Sequence, residues 1–171
     1  SEGIYSFKDE IVQSLKNMVD YKGLYEKKRF NAKGTYMEDD DFITGERAEF
    51  PLIVKENGMN FAIYLNEGAM VGIFLDQRDV RKTIRDKYAK GRTVLNTFSY
   101  TGAFSVAAAL GGASKTTSVD LANRSKGKTI EQFSINGIDF ESHDIIVEDV
   151  LNYFKYAVRK QLKFDMIILD P

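Results

Sequence analysis

Asp120, Glu148, Asp149 and Asp170 stand where chemistry could be done, each after a short strand-like run: Thr116–Val119, Asp144–Val147 and Phe164–Leu169. An ionised carboxylate only accepts hydrogen bonds, so a set of them suits a ligand that presents hydroxyl and amine donors. Asp120 follows the segment Asn96-Thr97-Phe98-Ser99-Tyr100-Thr101-Gly102 by about 20 residues, the spacing from which a carboxylate accepts from ribose hydroxyls. Asp149 could accept from the exocyclic amine of adenine. Gly102 opens a helical stretch, and its missing side chain lets a ligand approach the backbone closely. Taken singly, Asp120 and Asp149 are explained at least as well as helix N-caps, which call for acidic residues in the same places. As an ordered set they point to a nucleoside.

The kind of nucleoside follows from what the first loop lacks. A dinucleotide site wants G-x-G-x-x-G, which seats a pyrophosphate on a helix N-terminus. This loop has one glycine, Gly102, and two bulky aromatics, Phe98 and Tyr100. It also lacks the lysine of a P-loop. A cofactor without phosphates fits better, and S-adenosylmethionine combines an adenine, a ribose and a methionine tail.

These residues need a scaffold. Residues 7–20 carry Phe7, Ile11, Leu15, Met18 and Val19 at helical spacing and predict an amphipathic helix. From 24 to 74 the pattern is strand-like. The clearest element there is Phe50–Leu65, where Asn57-Gly58 supplies the tight turn of a hairpin. A short strand is expected at Val71–Phe74. Asp76 is expected to cap a helix with a core stripe of Val80, Ile84 and Tyr88. Strands and helices then alternate. Strands are expected at Thr93–Asn96, Thr116–Val119, Asp144–Val147 and Phe164–Leu169. Helices are expected at Gly102–Leu110, Ala122–Ile135 and Val150–Arg159. Such alternation reads as right-handed parallel βαβ units, an α/β doubly wound sheet whose ligands bind beyond the carboxyl ends of the strands. The expected division is a small α+β domain at 1–75 and the Rossmann-like part at 76–171.

Composition removes several classes. The chain has 171 residues, 43% hydrophobic and 29% charged, which suits one large or two small globular domains. With 24 basic and 25 acidic residues it is no module that grips nucleic acid by bulk charge, although a local basic groove stays open to it. It has no cysteine and one histidine, so within these residues there is no disulfide, thiolate zinc site, cysteine nucleophile or multi-histidine metal centre; no metal is expected. No run of eighteen apolar residues and no leader-like N-terminus is present, and the expectation is a cytoplasmic protein.

With the motifs in view, the sequence resembles a known family. VLNTFSYTGAFSVAAALGGASKTTSVDLANRS, EQFSINGI, the closing FDMIILDP and the upstream GIFLDQRDVR look like the class I methyltransferase domain of bacterial large-subunit ribosomal RNA methyltransferases. The match is nearest to the group that acts on C5 of a cytosine in 23S rRNA. The resemblance covers roughly residues 45–171 well and the N-terminal region more loosely. It implies that Phe98, Ser99, Tyr100, Thr101 and Gly102 form the first S-adenosylmethionine loop. Asp120 would hold the ribose with Leu121 alongside, and Asp149 and Val150 would frame the adenine. Gln77 and Arg78 would reach the methionine end. Asp170 and Pro171 would open the D-P-P-x-F segment that faces cofactor and target base. Arg78 also makes independent sense, because a guanidinium pairs well with a carboxylate, and a cation in a first helical turn opposes the helix dipole.

The resemblance further implies three later strands, a nucleophilic cysteine that adds to C6 of the cytosine, and an N-terminal RNA-binding PUA domain. None of these is in the sequence, so a fragment inactive by itself is expected. A second copy or swapped partner is expected to cover the open sheet edge. The alternatives are methylation of a guanine nitrogen, which needs no cysteine, or a non-catalytic nucleotide- or RNA-binding module.

Weaker signals have plainer readings. Tyr25-Glu-Lys27-Lys28-Arg29-Phe30 with Lys33 and Tyr36 could touch RNA, but reads first as a charged edge strand. Glu38–Asp41 lacks the glycine and spacing of a calcium loop and reads as solvated. His143 is expected to be exposed in a polar connector. Phe104, Ala107 and Ala108 read as core, and Asn136-Gly137 as a helix end.

Overall fold

In the computed structural model, residues 2–27, 41–67 and 71–171 are described. Of the basic and aromatic segment, Lys28–Phe30, Lys33 and Tyr36 lie outside the described residues, as do Glu38–Asp40 of the acidic run. Two compact units form, 1–52 with 63–71 and 53–62 with 72–171.

The first unit begins with α1 (Glu2–Tyr5) and α2 (Lys8–Met18). The helical spacing of Ile11, Leu15 and Met18 holds, yet no residue of α2 is buried. β1 (Gly23–Tyr25) and β2 (Phe42–Gly45) pair antiparallel, Leu24 opposite Thr44. Their aromatic side chains make a small cluster. Tyr25 meets Phe42 edge-on at 5.4 Å and Phe50 at 6.1 Å, and its hydroxyl accepts from the Ala48 N–H at 2.7 Å. The Arg47 guanidinium lies 4.3 Å from the Phe42 ring centre.

β3 (Leu52–Glu56) and β4 (Met59–Ile63) form the expected hairpin. Asn57 and Gly58 take φ of 50° and 82°, the positive values that a two-residue hairpin turn requires. Residues 53–62 of this hairpin belong to the second unit. The reason is specific bonding. Ala62 exchanges both backbone hydrogen bonds with the buried Gln132 side chain, at 2.9 and 2.8 Å, and Asn136 does the same for Asn60, at 2.9 and 2.7 Å. Asn136 thus docks the hairpin as well as ending its helix.

The stretch after the hairpin corrects three expectations. Val71–Phe74 is not a strand; the Tyr64 N–H donates to the Val71 carbonyl at 2.8 Å. Asp76 caps nothing, because it lies inside a 3-10 turn, Leu75–Gln77, that leads into α3 (Arg78–Thr83). The stripe Val80, Ile84, Tyr88 fails in part: Ile84 is 6% exposed, but Val80 and Tyr88 are 53% and 49% exposed. A π-helical turn at Ile84–Tyr88, closed by Ala89 N–H on the Ile84 carbonyl at 2.9 Å, inserts one residue and shifts the helical phase. Arg81 and Ala89 take the inward positions instead.

From here the alternation is as the spacing predicts: β5 (Thr93–Thr97), α4 (Ala103–Leu110), β6 (Lys115–Asp120), α5 (Asn123–Ser134), β7 (Asp144–Val147), α6 (Val150–Arg159) and β8 (Met166–Leu169). The four strands form one parallel sheet in the order β7-β6-β5-β8. This is the doubly wound α/β class. Successive residues of β5 serve opposite faces. Val94 packs with Ile84, Ala89, Phe104 and Ala108, while Leu95 packs with Val119, Val150, Tyr153 and Ala157.

His143 is another correction. It is half-buried, its Nδ1 accepting from the Thr116 N–H at 3.0 Å, with its ring edge-on to Phe133 at 5.1 Å. Its polar sequence neighbours concealed a long-range acceptor role.

Candidate functional site

Because all four strands run parallel, their carboxyl ends share one edge of the sheet. Thr97 is level with Val119 in β6 and with Leu169 in β8, and Asp120 is level with Val147 in β7. Asp120, Glu148, Asp149 and Asp170 therefore share that edge with the loop after β5.

Asp120 organises the centre of it. Its Oδ2 accepts from the Tyr100 N–H and its Oδ1 from the Ala122 N–H, both at 2.8 Å. It is not an N-cap, since Ala122 holds that position for α5. Its own carbonyl accepts from the Glu148 N–H at 3.0 Å, which ties in the next strand end. Asp149 does cap α6, its Oδ1 accepting from Asn152 N–H at 2.9 Å. The cap uses one carboxylate oxygen and leaves the second to face a donor. Glu148 Oε1 accepts from the Asp149 N–H at 2.9 Å, fixing the backbone there.

The loop after β5 alternates hand. Phe98, Tyr100 and Gly102 have φ of 54°, 50° and 77°. For the two aromatics this is a strained region, costing on the order of 1–3 kcal/mol each, and such strain gathers at functional sites. Hydrogen bonds hold it. Ser99 N–H donates to the Val119 carbonyl at 3.0 Å, Gly102 N–H to the Ser99 carbonyl at 2.7 Å, and Thr101 Oγ1 to the Gly72 carbonyl at 2.6 Å. The Tyr100 ring lies 5.8 Å from the Phe74 ring. A Cβ on Gly102 would come within 2.5 Å of Thr129 Cγ2, so glycine is required there by packing as well as by φ. Phe98 and Leu121, the residues after Thr97 and Asp120, expose apolar surface, 38% and 69%.

Gln77 Nε2 donates to Asp170 Oδ2 at 2.6 Å, joining residues far apart in sequence. Arg78 behaves differently. It is exposed, 4.0 Å from Asp79, and no hydrogen bond or ion pair among the described residues joins it to the carboxylates of the edge. Val150 is 3% exposed and belongs to the core, so only its backbone is available to a ligand. Pro171 is exposed beside Asp170.

Sequence reasoning missed the polar layer beneath the loop. Asn96 Nδ2 donates to Ser105 Oγ at 3.0 Å, and Ser105 Oγ meets Ser118 Oγ at 2.7 Å, all buried. Asn96 Oδ1 and Thr129 Oγ1 are buried without a partner among the described residues. The inward-facing Arg81 was missed too. It lies three residues before Ile84 on the same helical face, and an arginine at that position carries no sign in the sequence that it is buried.

The edge thus carries acceptors and apolar surface, the carboxylates of Asp120 and Asp149 one strand apart with the exposed side chains of Phe98 and Leu121, which suits a ligand with hydroxyl and amine donors and a flat ring. Among the described residues no cluster of His, Cys, Asp and Glu is placed to hold a metal ion. No described helix is long and apolar enough to cross a membrane.

The chain is similar to known proteins. A family model described as S-adenosylmethionine-dependent methyltransferase matches residues 26–171. The YwbD protein of Bacillus subtilis is 69% identical over 172 residues, a span of 100% of this chain and 43% of the relative. Ribosomal RNA large subunit methyltransferase I of Aeromonas salmonicida is 32% identical over 173 residues, again 100% of this chain and 43% of the relative. The solved structure of SMU.776 complexed with SAH (S-adenosylhomocysteine) is 46% identical with a TM-score of 0.89, covering 98% of this chain and 43% of that one. The chain thus spans under half the length of these relatives.

Proposed function

The chain belongs to the S-adenosylmethionine-dependent methyltransferase family, and from that premise we propose that the whole protein methylates large-subunit ribosomal RNA, at C5 of a cytosine in the 23S rRNA. S-adenosylmethionine supplies, when bound, a methyl group made transferable by its sulfonium. The relative named as a large-subunit methyltransferase supports RNA as the substrate. The observation that carries the site assignment is Asp120, whose carboxylate fixes the loops on both sides of the ribose position.

In this reading Asp120 accepts from the ribose hydroxyls, and Phe98 and Leu121 cover the faces of the adenine. Asp149 accepts from the adenine amine, with the Val150 backbone beside it. Ser99, Thr101 and Gly102 shape the loop that carries Tyr100. Gln77 and Arg78 serve the methionine end, and Asp170-Pro171 faces the target base. A cytoplasmic location belongs to the same proposal.

C5 of cytosine is a poor nucleophile until a thiolate has added to C6. These 171 residues contain no cysteine, so on this reading the thiolate comes from outside them. A second reading is transfer to a guanine nitrogen, which needs no thiolate. Two experiments test the function on the full-length protein. Titration with S-adenosylhomocysteine should show saturable binding, weakened about tenfold or more in Asp120→Ala by loss of charge-assisted hydrogen bonds. Unchanged affinity in that variant would remove the site assignment. RNA carrying 5-fluorocytidine should then trap the enzyme covalently, because fluorine cannot leave C5 as a proton does. Methyl transfer to unmodified RNA without any trapped adduct would favour the guanine reading.

A further inference from the structure

A buried guanidinium is costly unless it is paired and hydrogen-bonded. Arg81 is 1% exposed. Its Nε and Nη2 donate to the two oxygens of Glu56, both at 2.7 Å, in the two-pronged geometry that arginine makes with a carboxylate. Nη2 also donates to the Phe74 carbonyl at 2.8 Å. The rings of Phe61 and Phe104 lie 5.6 and 5.8 Å from the guanidinium carbon. Glu56 is itself 7% exposed, so the pair is sealed between the hairpin and α3.

What Arg81 holds is the point of interest. The same Phe74 carbonyl accepts from the Gln77 N–H at 3.3 Å, which closes the 3-10 turn Leu75–Gln77. That turn is three residues long and has little stability of its own. It presents Gln77 to Asp170. A hydrophobic pair of similar volume could fill the space of Glu56 and Arg81, often with no loss of stability. It could not grip a carbonyl.

We propose that Arg81, clamped by Glu56, is a positioning residue for the cofactor site: it fixes the Phe74 carbonyl and so holds the turn that sets Gln77 against Asp170. The proposal rests on the cofactor reading above. It differs from a purely structural role in one measurable way, because Arg81 and Gln77 act through the same contact and their losses cannot add.

The test is a double-mutant cycle on the full-length protein, read as affinity for S-adenosylhomocysteine by calorimetric titration, with folding checked by circular dichroism. Arg81→Lys keeps the charge and loses the fork. Arg81→Lys and Gln77→Ala should each weaken binding about tenfold, and the double variant by no more than about 20-fold. A double loss near the product of the singles, about 100-fold, would overturn the proposal, as would unchanged affinity in Arg81→Lys. Should Arg81→Lys fail to fold, Glu56→Gln replaces it in the cycle and the same outcomes decide. If the wild-type protein binds no S-adenosylhomocysteine, the cofactor reading fails and this proposal with it. If the wild type binds and only the coupling is missing, the cofactor reading stands alone.

Discussion

His143 couples its charge state to the sheet through Thr116 of β6. Burial pushes its pKa below the ordinary value of 6.5, partly opposed by Asp139 and Asp144 and reinforced by Lys115. The neutral ring accepts from the Thr116 N–H, and a protonated Nδ1 could not. The unfolded chain therefore binds more protons than the folded one in the window from about pH 6.5 down to the lowered folded value. Stability should be flat above that window and fall as the pH drops through it. Denaturant midpoints at about pH 7.5 and pH 5 should differ, and the difference should shrink in His143→Asn, whose amide oxygen can take the same N–H without titrating. An equal difference in wild type and variant would assign the pH response elsewhere. Asp165 is a separate case, active at lower pH. Hydrogen bonds from Thr93 N–H and Oγ1 hold its carboxyl below the usual 3.8, so its contribution is present above that value and lost below it.

The loop after β5 and the helix it opens work as one element, and Gly102 is their joint. Alanine there would meet both a φ of 77° and a Cβ contact of 2.5 Å with Thr129. Gly102→Ala should cost about 2–4 kcal/mol from backbone strain and overpacking together. Adding Thr129→Ala removes the clashing methyl and leaves the strain, so it should restore part of the loss. Chemical denaturation of the two variants would show this, and no recovery in the double variant would mean that φ alone sets the cost.

Element by element, the sequence was most legible where packing is periodic. The strands and helices from Thr93 to Leu169 fall within a residue or two of their expected ranges, because alternation and helical spacing are local signals. The segment before them was not legible. One inserted residue in the π-helical turn moved Ala89 inward in place of Tyr88, and no local pattern announces that. In the site, Asp120 and the loop at 98–102 could be placed from their order after the strands. The burial of the Val150 side chain and the exposure of Arg78 depend on packing that spacing does not give. The bonds Gln77–Asp170 and Glu56–Arg81 join residues distant in sequence, where spacing carries no information.

On the scale of the whole molecule, the two units differ in how they are held. The first rests on a short aromatic cluster and a helix that buries no residue, which by itself is marginal at 11 residues. The second contains both packed faces of the sheet and every residue assigned to the cofactor. The strand order β7-β6-β5-β8 also dictates a sequence of events during synthesis. β5 gains its first neighbour, β6, soon after it is made, but Asp165, which bonds Thr93 and precedes its second neighbour, is 72 residues further on. At about 5–20 residues per second, the central strand waits roughly 4–14 seconds on the ribosome with one edge unpaired. During that interval the edge of β5 that will receive β8 is open to mispairing, a hazard set by the same strand order that gathers the carboxylates on one edge.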